Sequence, residues 1–84
     1  MRQATGSLSI AQAHVLRALS SGGMLSARQI QRTAGLVRWR TKRTISELTR
    51  RDLIFTGGRR DRFEITELGR AALGAEHPDF GRLA

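Results

Sequence analysis

The sequence predicts a small α+β domain, mainly α: a three-helix core, a β-hairpin and a short C-terminal helix. Three observations carry this expectation. Ser9 with Gln12 and Ser26 with Gln29 each show the serine-to-glutamine spacing of a capping box ahead of helical apolar periodicity. Gly35 separates two periodic stretches by a turn of the length that joins paired helices. Downstream, Gly57-Gly58-Arg59-Arg60-Asp61 links two β-prone runs.

Taken in order, residues 1–7 are expected to form a flexible N-terminus, residues 8–74 the folded domain and residues 75–84 a C-terminal tail. Helix 1 is capped by Ser9 and runs to about Ser20. Its residues Ala11, Val15, Leu16 and Leu19 share one face, and Gly22-Gly23 supplies the stop. Met24-Leu25 is a short extended segment. Helix 2 spans about Ala27 to Ala34, and Gly35 takes the left-handed position behind it. Helix 3 runs from about Arg38 to Arg51, with Thr41, Thr44, Ile45 and Leu48 facing inward. Trp39, Arg43, Ser46 and Arg50 form the opposite stripe. The hairpin pairs Leu53–Thr56 with Arg62–Thr66. Thr66-Glu67 then starts a short amphipathic helix carrying Leu68, Ala71, Ala72 and Leu73 and ending near Gly74.

With 84 residues there is room for one core, and a chain this short buries only about 60–65% of its unfolded surface. A hydrophobic share of 39% suffices for a folded domain. Without cysteine, disulfides and thiolate zinc sites are excluded, and the expected setting is cytoplasmic and nucleoid-associated. No apolar stretch approaches the roughly 20 residues of a membrane span.

The charge points to a partner. Fifteen basic residues stand against seven acidic ones for a net +8, and fourteen of the fifteen are arginine, whose planar fork matches phosphate and guanine edges. Residues 28–62 hold eleven of these cations against Glu47, Asp52 and Asp61. A polyanion is the natural counterpart.

The stretch from Ile30 to Ile54, IQRTAGLVRWRTKRTISELTRRDLI, resembles the winged helix-turn-helix core of MarR-type transcriptional regulators. Upstream, LSIAQAHVLRAL is similar to the family's L-T-x-x-Q-x-x-V-L-x-x-L helix, and Arg60 to Leu73 looks like its wing and following helix. The likeness covers about residues 8–74, with Asp52 where the family usually has glycine.

This resemblance implies a sequence-selective binder of double-stranded DNA that regulates transcription, with helix 38–51 in the major groove and wing 53–66 on the backbone or minor groove. Arg38, Trp39, Lys42 and Arg43 fall on the DNA-reading positions, with Arg40, Ser46 and Arg50 on the same exposed surface. Arg43 and Arg38 are the candidates for guanine, whereas Arg40 and Lys42 suit phosphates. Arg59, Arg60 and Arg62 are the wing contacts. Arg28, Gln29 and Arg32 would anchor helix 2 on the backbone. Trp39 has three readings open: a thymine methyl or sugar, a protein partner, or packing back on its own domain.

Other chemistry finds little support. His14 and His77 lack companion ligands at metal spacing, no nucleophile-base pairing stands out, and neither a cofactor nor enzymatic activity is expected. Few residues flank the predicted core, so the family's dimerisation helices are expected to be absent. A small-molecule effector is not expected, whereas a second copy or a protein partner is. The competing functions are a protein-interaction module using Trp39 and its flanking arginines on an acidic partner, and an RNA-binding or architectural winged helix.

Overall fold

The computed structural model describes residues 8–57 and 61–76. Its elements are α1 (Ile10–Gly22), β1 (Leu25–Ser26), α2 (Ala27–Ala34), α3 (Arg38–Arg50), β2 (Ile54–Thr56), β3 (Arg62–Ile65) and α4 (Glu67–Glu76). The strands form one antiparallel sheet in the order β1-β3-β2.

Both capping boxes form. The Ser9 hydroxyl accepts from the Gln12 amide at 3.0 Å while Gln12 Oε1 accepts from the Ser9 amide at 3.1 Å. Ser26 and Gln29 repeat the exchange at 3.2 and 2.8 Å. Each box satisfies amides that a helix start leaves without partners. The first helix continues two residues beyond the expected Ser20, because the terminating conformation belongs to Gly23 at φ 74°.

Between α2 and α3 the chain turns at Gly35, whose φ of 72° and ψ of 33° are left-handed. Its amide and that of Leu36 both donate to the Gln31 carbonyl. The end of α3 has the same logic with a different residue. Leu53 N–H donates to Leu48 O and Asp52 N–H to Thr49 O, the paired bonds of a Schellman motif with Asp52 at φ 61°. Asp52 therefore occupies a backbone position suited to glycine, which accounts for the glycine found there in the resembling family. This helix stops at Arg50, one residue short of the expected Arg51.

The interior is assembled from Val15, Leu16 and Leu19 of α1, Ile30 of α2, Ile45 and Leu48 of α3, and Leu53, Ile54 and Ile65 around the hairpin. The inward face expected for α3 is buried as read, including Thr41 and Thr44. Thr41 Oγ1 satisfies itself by donating to the Val37 carbonyl at 2.9 Å.

Other boundaries differ from the sequence reading as well, each hairpin strand being one residue shorter than expected. The extended segment before α2 is Leu25–Ser26, so Ser26 is both a strand residue paired with Arg62 and the cap of α2. The C-terminal helix passes through Gly74 and ends at Glu76, beyond the end expected near Gly74. Gly74 is not left-handed, and a glycine is tolerated inside an exposed helix at a cost of about 1 kcal/mol. The start of this helix is capped as expected. Thr66 Oγ1 accepts from Gly69 N–H at 2.9 Å and donates to the Asp52 carbonyl at 2.7 Å, tying α4 to the turn that follows α3.

Candidate nucleic-acid interface

The candidate surface starts from the periodicity of α3. Thr41, Thr44, Ile45 and Leu48 point into the core. Residues half a turn away must therefore face outward, and Trp39, Arg43, Ser46 and Arg50 are all exposed. Arg38 and Lys42 border this stripe on the α2 side. Arg40 borders it on the other, beside the start of α1. Val37 precedes the helix without a side-chain cap, so the first-turn amides are left to solvent or an anion.

On the α2 side the two helices bound an open concavity of about 490 Å³. Arg28 and Arg32 line it from α2, Arg38 and Lys42 from α3, with Gln31, Ala27 and Thr41 between them. Each cation pair is spaced i,i+4, so both pairs present along one helix face and oppose each other across the cleft. Among the described residues no carboxylate pairs with any of the four. Such a cleft attracts anions by charge alone and is bordered by the exposed outer stripe of α3. Gln31 was not singled out in the sequence, although its i,i+3 relation to Arg28 on the same face was the available signal.

On the α1 side the cations are organised differently. Arg43 Nε lies 3.4 Å from Glu47 Oε2, and its side chain is 70% exposed. Glu47 Oε1 in turn accepts from Gln12 Nε2 at 2.9 Å, and Gln12 Oε1 accepts from Arg51 at 3.0 Å. An exposed i,i+4 ion pair is worth about 0.3–0.5 kcal/mol, whereas a bidentate arginine–guanine contact is worth about 1–3 kcal/mol. Glu47 therefore orients Arg43 without withholding it from a stronger acceptor.

Trp39 points outward, 59% exposed, on a helix that begins at Arg38 as read. The reading in which its ring folds back onto the domain is overturned. The Arg40 guanidinium sits 5.2 Å from the ring centroid and covers part of one face.

The remaining sequence candidates divide. Arg62 on β3 donates to Gln29 Oε1 at 3.0 Å, which brings the wing root to the start of α2. That oxygen also accepts from the Ser26 amide in the cap of α2. Arg59 and Arg60 lie outside the described residues, as does His77. Among the described residues no three His, Asp or Glu side chains converge as a metal site, and no helix is long and apolar enough to cross a membrane.

Neither a protein-family model nor a curated protein matches the chain. Solved structures do. A MarR family transcriptional regulator from Silicibacter pomeroyi DSS superposes with a TM-score of 0.83 at 22% identity, over 90% of this chain and 52% of that one. BpsR of Bordetella bronchiseptica, described through regulation of its DNA binding by 6-hydroxynicotinic acid, gives 0.75 at 25% identity over 90% and 61%. The PcaV transcriptional regulator from Streptomyces coelicolor, in complex with its natural ligand, gives 0.71 at 24% over 92% and 64%. The chain thus has a MarR-like winged-helix fold and spans between about half and two thirds of these neighbours. Two of them are described with small molecules, so the expectation that no effector is involved finds no support and is dropped.

Proposed function

We propose that this chain binds double-stranded DNA sequence-selectively and acts as a transcriptional regulator, not as an enzyme. In this reading α3 enters the major groove while the hairpin lies along the backbone or the adjacent minor groove. One observation carries the reading. The outer stripe of α3, opposite its buried face, joins without an intervening acid onto the four-cation cleft of Arg28, Arg32, Arg38 and Lys42. The stripe is narrow enough for base edges, and the cleft supplies the phosphate seat beside it. The names of the structural neighbours agree with a regulator.

Selection of bound duplexes from a random pool, followed by mobility shift at low salt, tests the proposal. The expected result is a retained complex and an enriched motif. Absence of any complex at low salt, or enrichment of nothing above the starting pool, would overturn it. A second copy bound to an adjoining half-site is the expected route to tight binding, since a single module buries only about 600–1,000 Å² on DNA.

The exposed Trp39 also favours a second reading, a hot spot for an acidic protein partner. Trp39→Ala abolishing capture of such a partner while leaving DNA affinity intact would select it.

A further inference from the structure

The cationic residues of α3 account for affinity, but the residue at the centre of its outer stripe is not a cation. Trp39 lies in the first turn, almost diametrically opposite the buried side chains Thr41, Thr44, Ile45 and Leu48. Arg38 and Lys42 flank it on the α2 side and Arg40 on the other. If a helix lies in the major groove, flanking side chains meet the phosphate walls and the central stripe meets the floor, where base edges lie. An indole offers a large apolar surface and one N–H donor, with no acceptor. The one apolar feature on that floor is the C5-methyl group of thymine.

Resting on the DNA-binding reading above, we propose that Trp39 is a specificity-determining residue that reads a pyrimidine C5-methyl group, within two base pairs of a guanine read by Arg43. The spacing follows from the helix. Residues four apart rise about 6 Å along its axis, against about 3.4 Å per base pair. Arg43 is prepared for its part because Glu47 engages Nε and leaves the terminal nitrogens to face outward. Trp39 is prepared because the Arg40 guanidinium partly covers one ring face, limiting its rotation and leaving the other available. A sugar contact would use the same ring but carries no base information. The observation favouring the methyl is the ring's place at the centre of the stripe, not at its edge.

The test uses the full chain and the duplex enriched from a random pool. Each thymine of that duplex is replaced singly by deoxyuridine, which removes only the methyl, and affinities are measured for the wild type and Trp39→Ala. We expect one position at which uracil weakens the wild type roughly three- to tenfold, by the apolar burial of one methyl and its contacts. At that position 5-bromouracil restores binding, and Trp39→Ala does not distinguish the bases. Wild-type indifference to every uracil replacement, on a sequence it nevertheless selects, overturns this inference and leaves the DNA-binding reading standing. Failure to select any sequence overturns both. Since Trp39 is exposed, Trp39→Ala is expected to fold, and an unchanged melting transition verifies that.

Discussion

Gln12 Nε2 donates to Glu47 Oε1 at 2.9 Å across 35 positions of sequence, so the side chain that completes the cap of α1 also anchors the carboxylate beside Arg43. Removing that carboxylate has two opposed consequences. In Glu47→Ala the interface loses a negative charge and binds all duplexes more tightly, while Arg43 loses its fixed direction. The expected outcome is a smaller ratio between the selected duplex and a scrambled one, with a stability loss of about 1 kcal/mol from the abandoned Gln12 amide. Competition mobility shifts measure the ratio, and an unchanged ratio refutes the positioning role.

Arg43→Ala and Arg28→Ala should separate reading from holding. The first is expected to lower affinity for the selected duplex by about 1–3 kcal/mol and to relax the preference at one base pair. The second removes a side chain of the four-cation cleft and should weaken all sequences alike. It should also reduce the magnitude of the salt slope by about 1, from about 5 if six phosphates are neutralised. Titrations at several salt concentrations distinguish the two patterns.

Asp52 holds φ at 61° in the Schellman motif that closes α3. Asp52→Gly relieves that conformation but enlarges the freedom of the unfolded chain. Relief is expected to prevail, with a gain of up to about 1 kcal/mol and a rise of a few degrees in melting temperature. The Thr66 bond to the Asp52 carbonyl is made by the backbone and survives the change. A lower melting temperature would show that the aspartate is compatible with its φ.

Two glycines of α4 should respond oppositely to alanine. A Cβ on Gly69 would collide with the Leu53 carbonyl and approach Ile65 Cγ1 at 2.8 Å, so Gly69→Ala must push the helix off the hairpin, at a cost of about 1–3 kcal/mol. A Cβ on Gly74 meets nothing within 4 Å, and Gly74→Ala should stabilise by about 0.5–1 kcal/mol. Thermal denaturation of both variants is the check, and equal effects would contradict the packing described.

These contrasts show which parts of the molecule the sequence announces. The capping boxes at Ser9 and Ser26, the turn at Gly35 and the inward face of α3 were legible because each is determined within a few residues. Gly74 misled because a glycine ends a helix only where the chain uses its left-handed freedom, and here it does not. Non-local relations were hidden. The facing of Arg28 and Arg32 toward Arg38 and Lys42 depends on how α2 crosses α3, and the Gln12–Glu47 bond on how α1 meets α3. The Arg43–Glu47 pair, by contrast, lay open at i,i+4 spacing. The outward direction of Trp39 was readable from the period, but the Arg40 cover on its ring was not.

Ser26 closes the sheet against Arg62 and opens α2 in the same residue, while Gln29 grips both through one oxygen. The hairpin root and the start of α2 are thereby held at a common joint. In the proposed complex they would present a preset span, like the jaws of a calliper locked at one setting, and the burden of adjustment would fall on the duplex. On that reading, sites whose groove geometry already suits that span are expected to be favoured even at base pairs that no side chain touches.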